Sequence, residues 1–586
     1  MNALALRIIL FVSLLAATVA LADDHSVPTQ YNEATVAQLQ ALMASGKLTS
    51  EQLTEYYLAR IFALDQNGPD VNAVIEVNPD ALTLARHADH LRRRGVVLGP
   101  LHGIPVLLKD NIDTGDRMQT TAGSFALFGT PALRDSTVAA NLRAGGAVIL
   151  GKTNLSEWAN FRSFESISGW SGRGGQTNNP YGIDRNPCGS SAGSAAAASA
   201  NFVTVSFGSE TDGSIVCPGN ASGVVAIKPT IGLTSRAGVV PISHTQDTIG
   251  PHARTVADAA AALSVIQSRT SDGRDPATGG VPLGWRGRFS RPTNIPTDYM
   301  KFLNPNGLQG ARIGITRAGL DGFTNVSTPA PVLAAIEAAF QALSDAGATV
   351  IDLDAAGFTF AGGGGEFGVL LYDFKNDVQA YFATRVGVPV AGGTLQTAID
   401  FNNAHAEVEM PFFNQDIFDL ANSLNTTDPN GPQDPSLFGG TTYNQALDLD
   451  QQLGISMDSA LSTFHLDAVV TATDNPAWAT DLLYGDHFIY GTSGLAAPEG
   501  YPIVQVPAGI VFGVPLGISF FGTAFSEPTL IKLASGYEAA TKIRAHNPPT
   551  FALTVPFNNI QGTTLKPPKP HSFPPAPGGK KRHHHM

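Results

Sequence analysis

The sequence predicts an α/β fold in which helices cover both faces of a β-sheet. Short β-branched runs, such as residues 73–77 and 147–150, alternate with longer amphipathic segments, as expected when helices connect the strands of one sheet. The chain has 586 residues, of which 43% are hydrophobic. That composition is sufficient for a large core, whether it forms one domain or several.

Residues typical of helix starts and helix ends predict the helices in the first part of the chain. A capping box at residues 49–52 starts an amphipathic helix, and Ser136 caps another helix that the glycine pair at 145–146 ends. Leu107 and Leu108 form an apolar run that leads into Lys109. In chain order, the helices predicted here cover residues 31–67 (two helices), 79–94 and 136–146.

The second half continues the same alternation with longer loops. The predicted helices cover residues 330–347, 370–382 and part of 410–424, and the predicted strands cover 349–353, 467–471, 500–509 and 513–522. Gly362 to Gly365 form a flexible hinge, and residues 425–440 form a loop. Residues 273–308 are rich in Gly, Pro, Arg and Asn, which predicts a surface insertion.

Residues 187–219 contain two serine- and glycine-rich loops. The first loop covers residues 189–194 and the second covers 208–214; an alanine-rich helix at 195–200 and a strand at 202–207 join them. Glycine allows backbone N–H groups to approach a ligand closely. A serine beside converging N–H groups suits acyl transfer, because the tetrahedral intermediate carries negative charge on an oxygen.

A nucleophilic serine also needs a base, and residues 187–219 contain no histidine. Lys109 lies upstream at the end of the apolar run. A lysine buried at that position loses its proton more easily than one in water, because burial penalises the charged form. The sequence therefore indicates a lysine base rather than a histidine base.

Taken together, residues 101–111, 187–200 and 208–218 resemble the amidase signature family of Ser-Ser-Lys hydrolases. The lysine precedes both serines in the family's order, and further similar segments extend into the last third of the chain. The resemblance implies one catalytic domain over residues 23–563. It also implies the amidase-signature fold, a central mixed and twisted β-sheet with helices on both faces.

The resemblance assigns a role to each residue of the motifs. Ser214 is the implied nucleophile, Ser190 transfers its proton, and Lys109 is the base that must be neutral to accept it. In the family the first serine follows a cis peptide bond, here the bond between Gly189 and Ser190. The implied oxyanion hole consists of the backbone N–H groups of Thr211, Asp212, Gly213 and Ser214.

Within that family the chain is most similar to the monomeric peptide amidases, over residues 169–182, 210–219, 370–382 and 476–482. This implies a monomer without a cofactor that removes the C-terminal amide of peptides and releases ammonia. Aryl acylamides, carbamates and fatty amides remain alternative substrates, since such a site can accept all of them. The side chains expected to line the acyl pocket are Arg162, Tyr372, Asp373 and Trp478, each of which fits the core equally well.

Two other functions compete with this hypothesis. Residues 189–193 also fit the G-x-S-x-G elbow of α/β-hydrolases, with Ser191 as nucleophile. That motif needs a strand directly before it, whereas residues 184–187 read as a turn, and His244 or His487 would have to supply the base. A secreted binding protein with an inactive site is the second alternative, but it does not explain the intact Lys109, Ser190 and Ser214.

The composition limits the partners. The formal net charge is −13, which argues against nucleic acid, because phosphate binding needs clustered Lys and Arg. No stretch after the first residues is long and apolar enough to span a bilayer, so stable membrane association is not expected. The chain lacks H-E-x-x-H and C-x-x-C motifs, and we therefore expect no metal site.

The two ends of the chain are expected to lie outside the catalytic domain. Arg7 and the apolar run at residues 8–20 predict a signal peptide cleaved after Ala22, and hence a secreted or periplasmic protein. Residues 564–586 are proline-rich and predict a disordered tail. Export permits a bond between Cys188 and Cys217, but two separate buried thiols are the preferred interpretation.

Overall fold

The structure is a computed structural model that describes residues 27–280, 291–320 and 328–554. The predicted signal peptide and the predicted tail lie outside these residues. The strands are β1 Val74–Val77, β2 Pro105–Lys109, β3 Val148–Thr153, β4 Trp170–Ser171, β5 Gly175–Gln176, β6 Val205–Glu210, β7 Val225–Lys228, β8 Thr248–Ala253, β9 Arg312–Ile315, β10 Thr349–Asp352, β11 Ala468–Ala472, β12 Ile503–Val511 and β13 Val514–Phe521.

Helices connect most of these strands. They are α1 Val36–Ala44, α2 Ser50–Arg60, α3 Ala81–Arg93, α4 Thr137–Ala144, α5 Ala192–Ser199, α6 Val216–Ala221, α7 Val256–Ile266, α8 Ala330–Asp345, α9 Glu366–Phe382, α10 Leu395–Ala404, α11 Ala406–Glu409, α12 Asp416–Ser423, α13 Pro435–Phe438, α14 Tyr443–Thr463, α15 Glu527–Thr541 and α16 Ile543–His546. In the described part of the chain, no helix combines the length and the apolar character that crossing a bilayer requires.

Eleven strands of the described residues form one mixed sheet in the order β1-β3-β2-β6-β8-β7-β12-β13-β11-β9-β10. β2 pairs in parallel with both β3 and β6, whereas β8, β7, β12 and β13 pair antiparallel with their neighbours. Because β2 and β6 are parallel, their carboxyl ends lie at the same edge of the sheet. The predicted mixed α/β fold with flanking helices is confirmed.

Burial explains why these segments form the centre of the sheet. Every residue of β2 and β6 is buried, as is every residue of α5. Ala196 and Ala197 of α5 share the main hydrophobic cluster with Phe207 of β6 and Leu263 of α7. The small alanine side chains let α5 approach the strands closely, so the two loops flanking α5 and β6 are held on a rigid frame.

A second hydrophobic cluster lies among the helices between β10 and β11. Trp158 makes an edge contact with Phe418 of α12 at 5.5 Å between ring centroids, and Phe374 of α9 packs on the same Phe418 ring at 5.1 Å. These contacts join α9 and α12 to the loop that follows β3. The first residue of α9, Glu366, is thereby fixed relative to the serine loops.

The structure differs from the prediction at the end of one strand and at helix α14. The strand expected at residues 202–207 is β6, which continues to Glu210, so the second loop starts at Thr211 rather than Gly208. Pairing explains the shift, because Gly208, Ser209 and Glu210 stand opposite residues of β8 in an antiparallel ladder. Helix α14 was not predicted, although Thr442 caps it with a capping box.

The predicted surface insertion is partly built into the core. Among its described residues, Ala277 and Tyr299 are each only 1% exposed. The backbone N–H of Tyr299 donates to Ser264 Oγ on α7 at 2.8 Å. Composition alone therefore underestimated how tightly residues 291–308 pack against the helices.

Candidate active site

Lys109 ends strand β2 and contacts the loop before α5 and the end of strand β6. Its Nζ lies 2.7 Å from Ser190 Oγ, 3.0 Å from Ser209 Oγ and 3.2 Å from Ser209 O. Asn111 Nδ2 donates to the same Ser209 Oγ at 2.9 Å. Lys109 has no solvent-exposed surface, so its amine is surrounded entirely by protein groups.

Burial lowers the pKa of Lys109 to about 7, and the carboxyl groups of Asp247 and Glu210 act in the opposite direction. Burial also raises the pKa of both acids, that of Asp247 to about 6. A buried acid that is partly protonated stabilises an ammonium group less than a full carboxylate does. The amine of Lys109 can therefore be neutral near pH 7.

Ser190 is placed by a loop that leaves no room for a side chain before it. The peptide bond between Gly189 and Ser190 is cis. A Cβ at Gly189 would lie 2.1 Å from Ser156 Oγ and 2.7 Å from Asn160 Oδ1, so only glycine fits. The backbone carbonyl of Ser190 accepts from Ser156 N at 3.1 Å, which ties the loop to the segment after β3.

Ser214 lies just beyond β6, in a loop that the Glu210 carboxylate organises. Glu210 Oε2 accepts from Ile215 N at 2.6 Å and from Val216 N at 3.0 Å, at the start of α6. A carboxylate satisfies the free N–H groups at a helix start and is favoured there by the helix dipole. Ser191 N donates to Ser214 O at 3.1 Å, so the two serine loops contact each other directly.

The residues just before Ser214 carry free backbone donors. Gly213 has a φ of +82°, a left-handed conformation that turns the chain sharply. Within the described residues, the backbone N–H groups of Asp212, Gly213 and Ser214 donate to no other protein group. Consecutive unpaired N–H groups in such a turn form a concave anion site. The arrangement suits an oxyanion with its charge on one oxygen.

Cys188 and Cys217 form a disulfide, with their Cα atoms 5.9 Å apart. The preferred interpretation of two separate thiols is therefore wrong. Cys188 precedes Ser190 by two residues and Cys217 follows Ser214 by three, so the bond joins the two serine loops covalently. The sequence does not reveal it, because only the fold shows that the loops converge. Trp478 and Ala477 pack in the same buried cluster as the disulfide.

The four predicted pocket residues have different surroundings. Arg162 is fully buried and pairs with Glu157 at 2.8 Å. The Tyr372 ring stacks on Tyr443 at 4.1 Å between centroids, and Asp373 accepts from the Tyr443 hydroxyl at 2.8 Å. The structure thus places Arg162, Tyr372 and Asp373 in the core. Trp478 alone lies beside the serine loops.

The nucleophile elbow finds no support in the structure. No strand leads directly into Ser191, since β5 ends at Gln176. The Ser191 hydroxyl donates to Ser209 O at 3.0 Å and accepts from Ser209 N at 3.2 Å, so it fixes the loop to β6. His487 is largely exposed and bonds to Asp481 at 3.1 Å, which leaves it engaged elsewhere.

His244, Asp373 and Asp377 are the described group whose donor atoms lie close enough together to hold a metal ion. His244 Nδ1 lies 2.9 Å from Asp377 Oδ2, and Asp373 accepts from the hydroxyls of Ser243 and Thr245. Although burial lowers it, the Asp373 and Asp377 carboxylates raise the pKa of His244 to about 9. A protonated imidazole has no lone pair for a metal, so we interpret the group as a partly buried ion pair.

Several functional residues were not singled out from the sequence. Ser209, Asn111 and Glu210 hold the amine of Lys109 and the loop of Ser214 in place. Glu210 and Ser209 were assigned to a loop, whereas they belong to β6. All of β6 is buried, so no alternation in the sequence indicates that Ser209 and Glu210 belong to the strand.

The chain is similar to known proteins over most of its length. The family model described as Amidase matches residues 52–407. A probable amidase from Arabidopsis thaliana is 40% identical over 528 residues, which cover 89% of this chain and 92% of that protein.

Two solved structures are similar over nearly their whole length. The native peptide amidase from Stenotrophomonas maltophilia is 44% identical with a TM-score of 0.77, and the match covers 89% of this chain and all of that one. An amidase family protein from Bacillus anthracis is 34% identical with a TM-score of 0.75, covering 89% of this chain and 93% of that one.

The disulfide should make a measurable contribution to stability. Replacing both cysteines by serine should lower the free energy of unfolding by about 3–4 kcal/mol, because the bond closes a segment of 29 residues in the unfolded chain. Denaturation of the two proteins in urea, followed by tryptophan fluorescence, measures the difference. Free thiols in the wild-type protein, denatured without reductant, would contradict the bond itself.

Proposed function

The chain belongs to the amidase family and is an amide hydrolase, and we propose that it removes the C-terminal amide of peptides and releases ammonia. In this proposal Ser214 forms the acyl-enzyme, Ser190 transfers the proton and Lys109 is the base. The similarity to a peptide amidase over the whole of that structure supports the substrate class. An aryl, carbamate or fatty amide substrate is the alternative within the same family.

One observation supports the mechanism: the Lys109 amine lies 2.7 Å from Ser190 Oγ, and Lys109 itself is fully buried. An ordinary lysine is protonated near neutrality and cannot accept a proton. Burial lowers the pKa of Lys109 to about 7, which supplies a neutral amine at the working pH. A binding protein with an inactive site would have no need for this buried amine.

Ser209 gives the neutral amine a defined orientation. A neutral lysine has two N–H donors and one lone pair, and Ser209 offers two acceptors, its carbonyl at 3.2 Å and its hydroxyl at 3.0 Å. With both N–H groups donated to Ser209, the lone pair faces the third neighbour, Ser190 Oγ. The Ser190 hydroxyl then donates to Lys109, and its oxygen is free to accept from Ser214.

The proposed reaction begins when Ser214 Oγ attacks the amide carbon. Its proton passes to Ser190 as the Ser190 proton passes to Lys109. The tetrahedral oxyanion accepts hydrogen bonds from the backbone N–H groups around Gly213, each of which typically lowers the barrier by about 3 kcal/mol. When the C–N bond breaks, the proton returns from Lys109 through Ser190 to the nitrogen, which leaves as ammonia.

Water then attacks the acyl-enzyme by the same route. Lys109 accepts the proton of the water through Ser190, and the Ser214 oxygen recovers it when the ester bond breaks. The products are a peptide with a free carboxylate and the original enzyme. The reaction consumes one water molecule and needs no oxidant, reductant or metal.

A panel of amides tests both the reaction and the nucleophile. We expect the protein to release ammonia from a peptide amide faster than from a fatty amide or an anilide, the last measured as aniline. Ser214→Ala should lower the peptide-amide rate by at least about 10⁴-fold, because the nucleophile acts together with its base.

Matched controls distinguish the alternatives. Turnover of only the anilide or the fatty amide would retain the mechanism and reject the peptide substrate. Activity that persists in Ser214→Ala but is lost in Ser191→Ala would overturn the mechanism. A serine-reactive phosphonate that labels no residue would support the inactive binding protein.

The proposal includes export from the cytosol. The apolar run at residues 8–20 supports it, and so does the disulfide, since such bonds persist mainly in oxidising compartments. We expect the mature protein isolated from its natural source to begin at Asp23. N-terminal sequencing tests this, and an intact chain that begins at Met1 in the cytosol would contradict it.

A further inference from the structure

Asp212 is the exposed residue of a loop whose neighbouring residues are buried. Thr211 is 7% exposed and Ser214 is 8% exposed, yet the side chain of Asp212 is accessible. The position is also two residues before the proposed nucleophile. An exposed carboxyl group this near to Ser214 in the chain can reach a substrate bound at Ser214.

A second carboxyl group, that of Glu366, contacts the Asp212 carboxyl group. Glu366, the first residue of α9, hydrogen-bonds to Asp212, and Ser493 bonds to the same Asp212 carboxyl. Gln246 Nε2 donates to Glu366 Oε1 at 2.8 Å, and a Cβ at Gly494 would lie 3.6 Å from Asp212 Oδ2. Contacts from three separate segments thus hold the carboxyl pair in one orientation.

The pair carries one negative charge. Burial raises the pKa of both acids, but the Asp212 charge and the hydrogen bond to Asp212 raise that of Glu366 further, whereas the same hydrogen bond lowers that of Asp212, so Glu366 keeps the proton and donates it to Asp212. Asp212 is then a carboxylate with further lone pairs free to accept from a ligand. An acceptor of this kind favours substrates that present an N–H group.

The short spacing between Asp212 and Ser214 limits which part of a substrate can contact the Asp212 carboxylate. Two residues span at most about 7 Å, so Asp212 lies within about one amino-acid residue of the acyl carbon on Ser214. In a peptide amide, the nitrogen on the adjacent α-carbon is only two bonds from that acyl carbon. This α-nitrogen carries an N–H group, whereas the amide of a simple carboxylic acid has no nitrogen on its α-carbon.

Resting on the proposed amidase function, we propose that Asp212, held by Glu366, accepts a hydrogen bond from the α-nitrogen of the residue whose amide is cleaved. The site thereby selects amides of amino acids and peptides over amides of simple carboxylic acids. Asp212 acts as a specificity residue through its side chain, in addition to its backbone N–H. Glu366 is a positioning residue, since it acts on the substrate through Asp212.

Three amides that differ only at the α-position test the proposal. They are N-acetyl-L-phenylalaninamide, L-phenylalaninamide and 3-phenylpropanamide, and ammonia release gives kcat/KM for each. We expect the wild type to prefer the first amide to the third. In Asp212→Ala this preference ratio should fall by about 10- to 100-fold, the range for a hydrogen bond to a charged acceptor. An unchanged ratio, even with lower rates, would overturn the proposal.

Further variants keep the test decisive if Asp212→Ala does not fold. Asp212→Asn keeps an acceptor but removes the charge, so hydrolysis of L-phenylalaninamide, with its α-ammonium group, should fall more than that of the N-acetyl amide. Glu366→Gln should retain the preference ratio, because its amide N–H can still donate to Asp212, whereas Glu366→Leu should lower it. Equal effects of Glu366→Gln and Glu366→Leu on that ratio would contradict the positioning role.

The rates of the wild-type protein on the three amides distinguish failure of this inference from failure of the proposed function. If the wild type cleaves all three amides with equal efficiency, the proposed reaction stands and the role of Asp212 is overturned. If it cleaves none of them, the proposed function fails and the inference fails with it.

Discussion

The contact between Lys109 Nζ and Ser190 Oγ is the interaction on which the site depends. Parallel pairing of β2 with β6 places the lysine beside Ser209 at the edge where both strands end. Complete burial then penalises the ammonium form, so the same residue that would be a surface cation elsewhere becomes a base. The sheet places Lys109 beside Ser190, and burial lowers its pKa so that it can accept a proton. Both are needed for Lys109 to act as a base.

The buried surroundings that favour the neutral form of the lysine also contain acids. Glu210 is buried with a raised pKa, yet it fixes the loop of Ser214 by accepting from two backbone N–H groups. Asp474 is buried with a pKa raised by burial and by its acidic neighbours. Such groups lower stability unless they are compensated, and perturbed pKa values of this kind concentrate at functional sites. The disulfide between the two serine loops offsets part of that cost.

The sequence was sufficient for the fold class and the main motifs, because those depend on local patterns. The cap at Ser136 was predicted correctly, since Ser136 Oγ accepts from Ala139 N as its position implied. The end of β6 and the disulfide were not predicted, because both depend on which segments meet in space. The same reason explains why Arg162 was expected in the acyl pocket: its ion pair with Glu157 in the core cannot be recognised from the neighbouring sequence. The partnership of Asp212 with Glu366 joins residues that are far apart in the chain and likewise needed the structure.

The pH dependence of kcat/KM for a peptide amide tests the central claim most directly. Protonated Lys109 cannot accept a proton, so the account predicts a tenfold loss of kcat/KM for each pH unit below about 7 and a plateau above it. Circular dichroism across the same pH range would verify that the protein remains folded. A rate that stays constant between about pH 5 and 9, or that rises only near the pKa of an ordinary lysine at about 10.4, would contradict a neutral, buried Lys109 as the base.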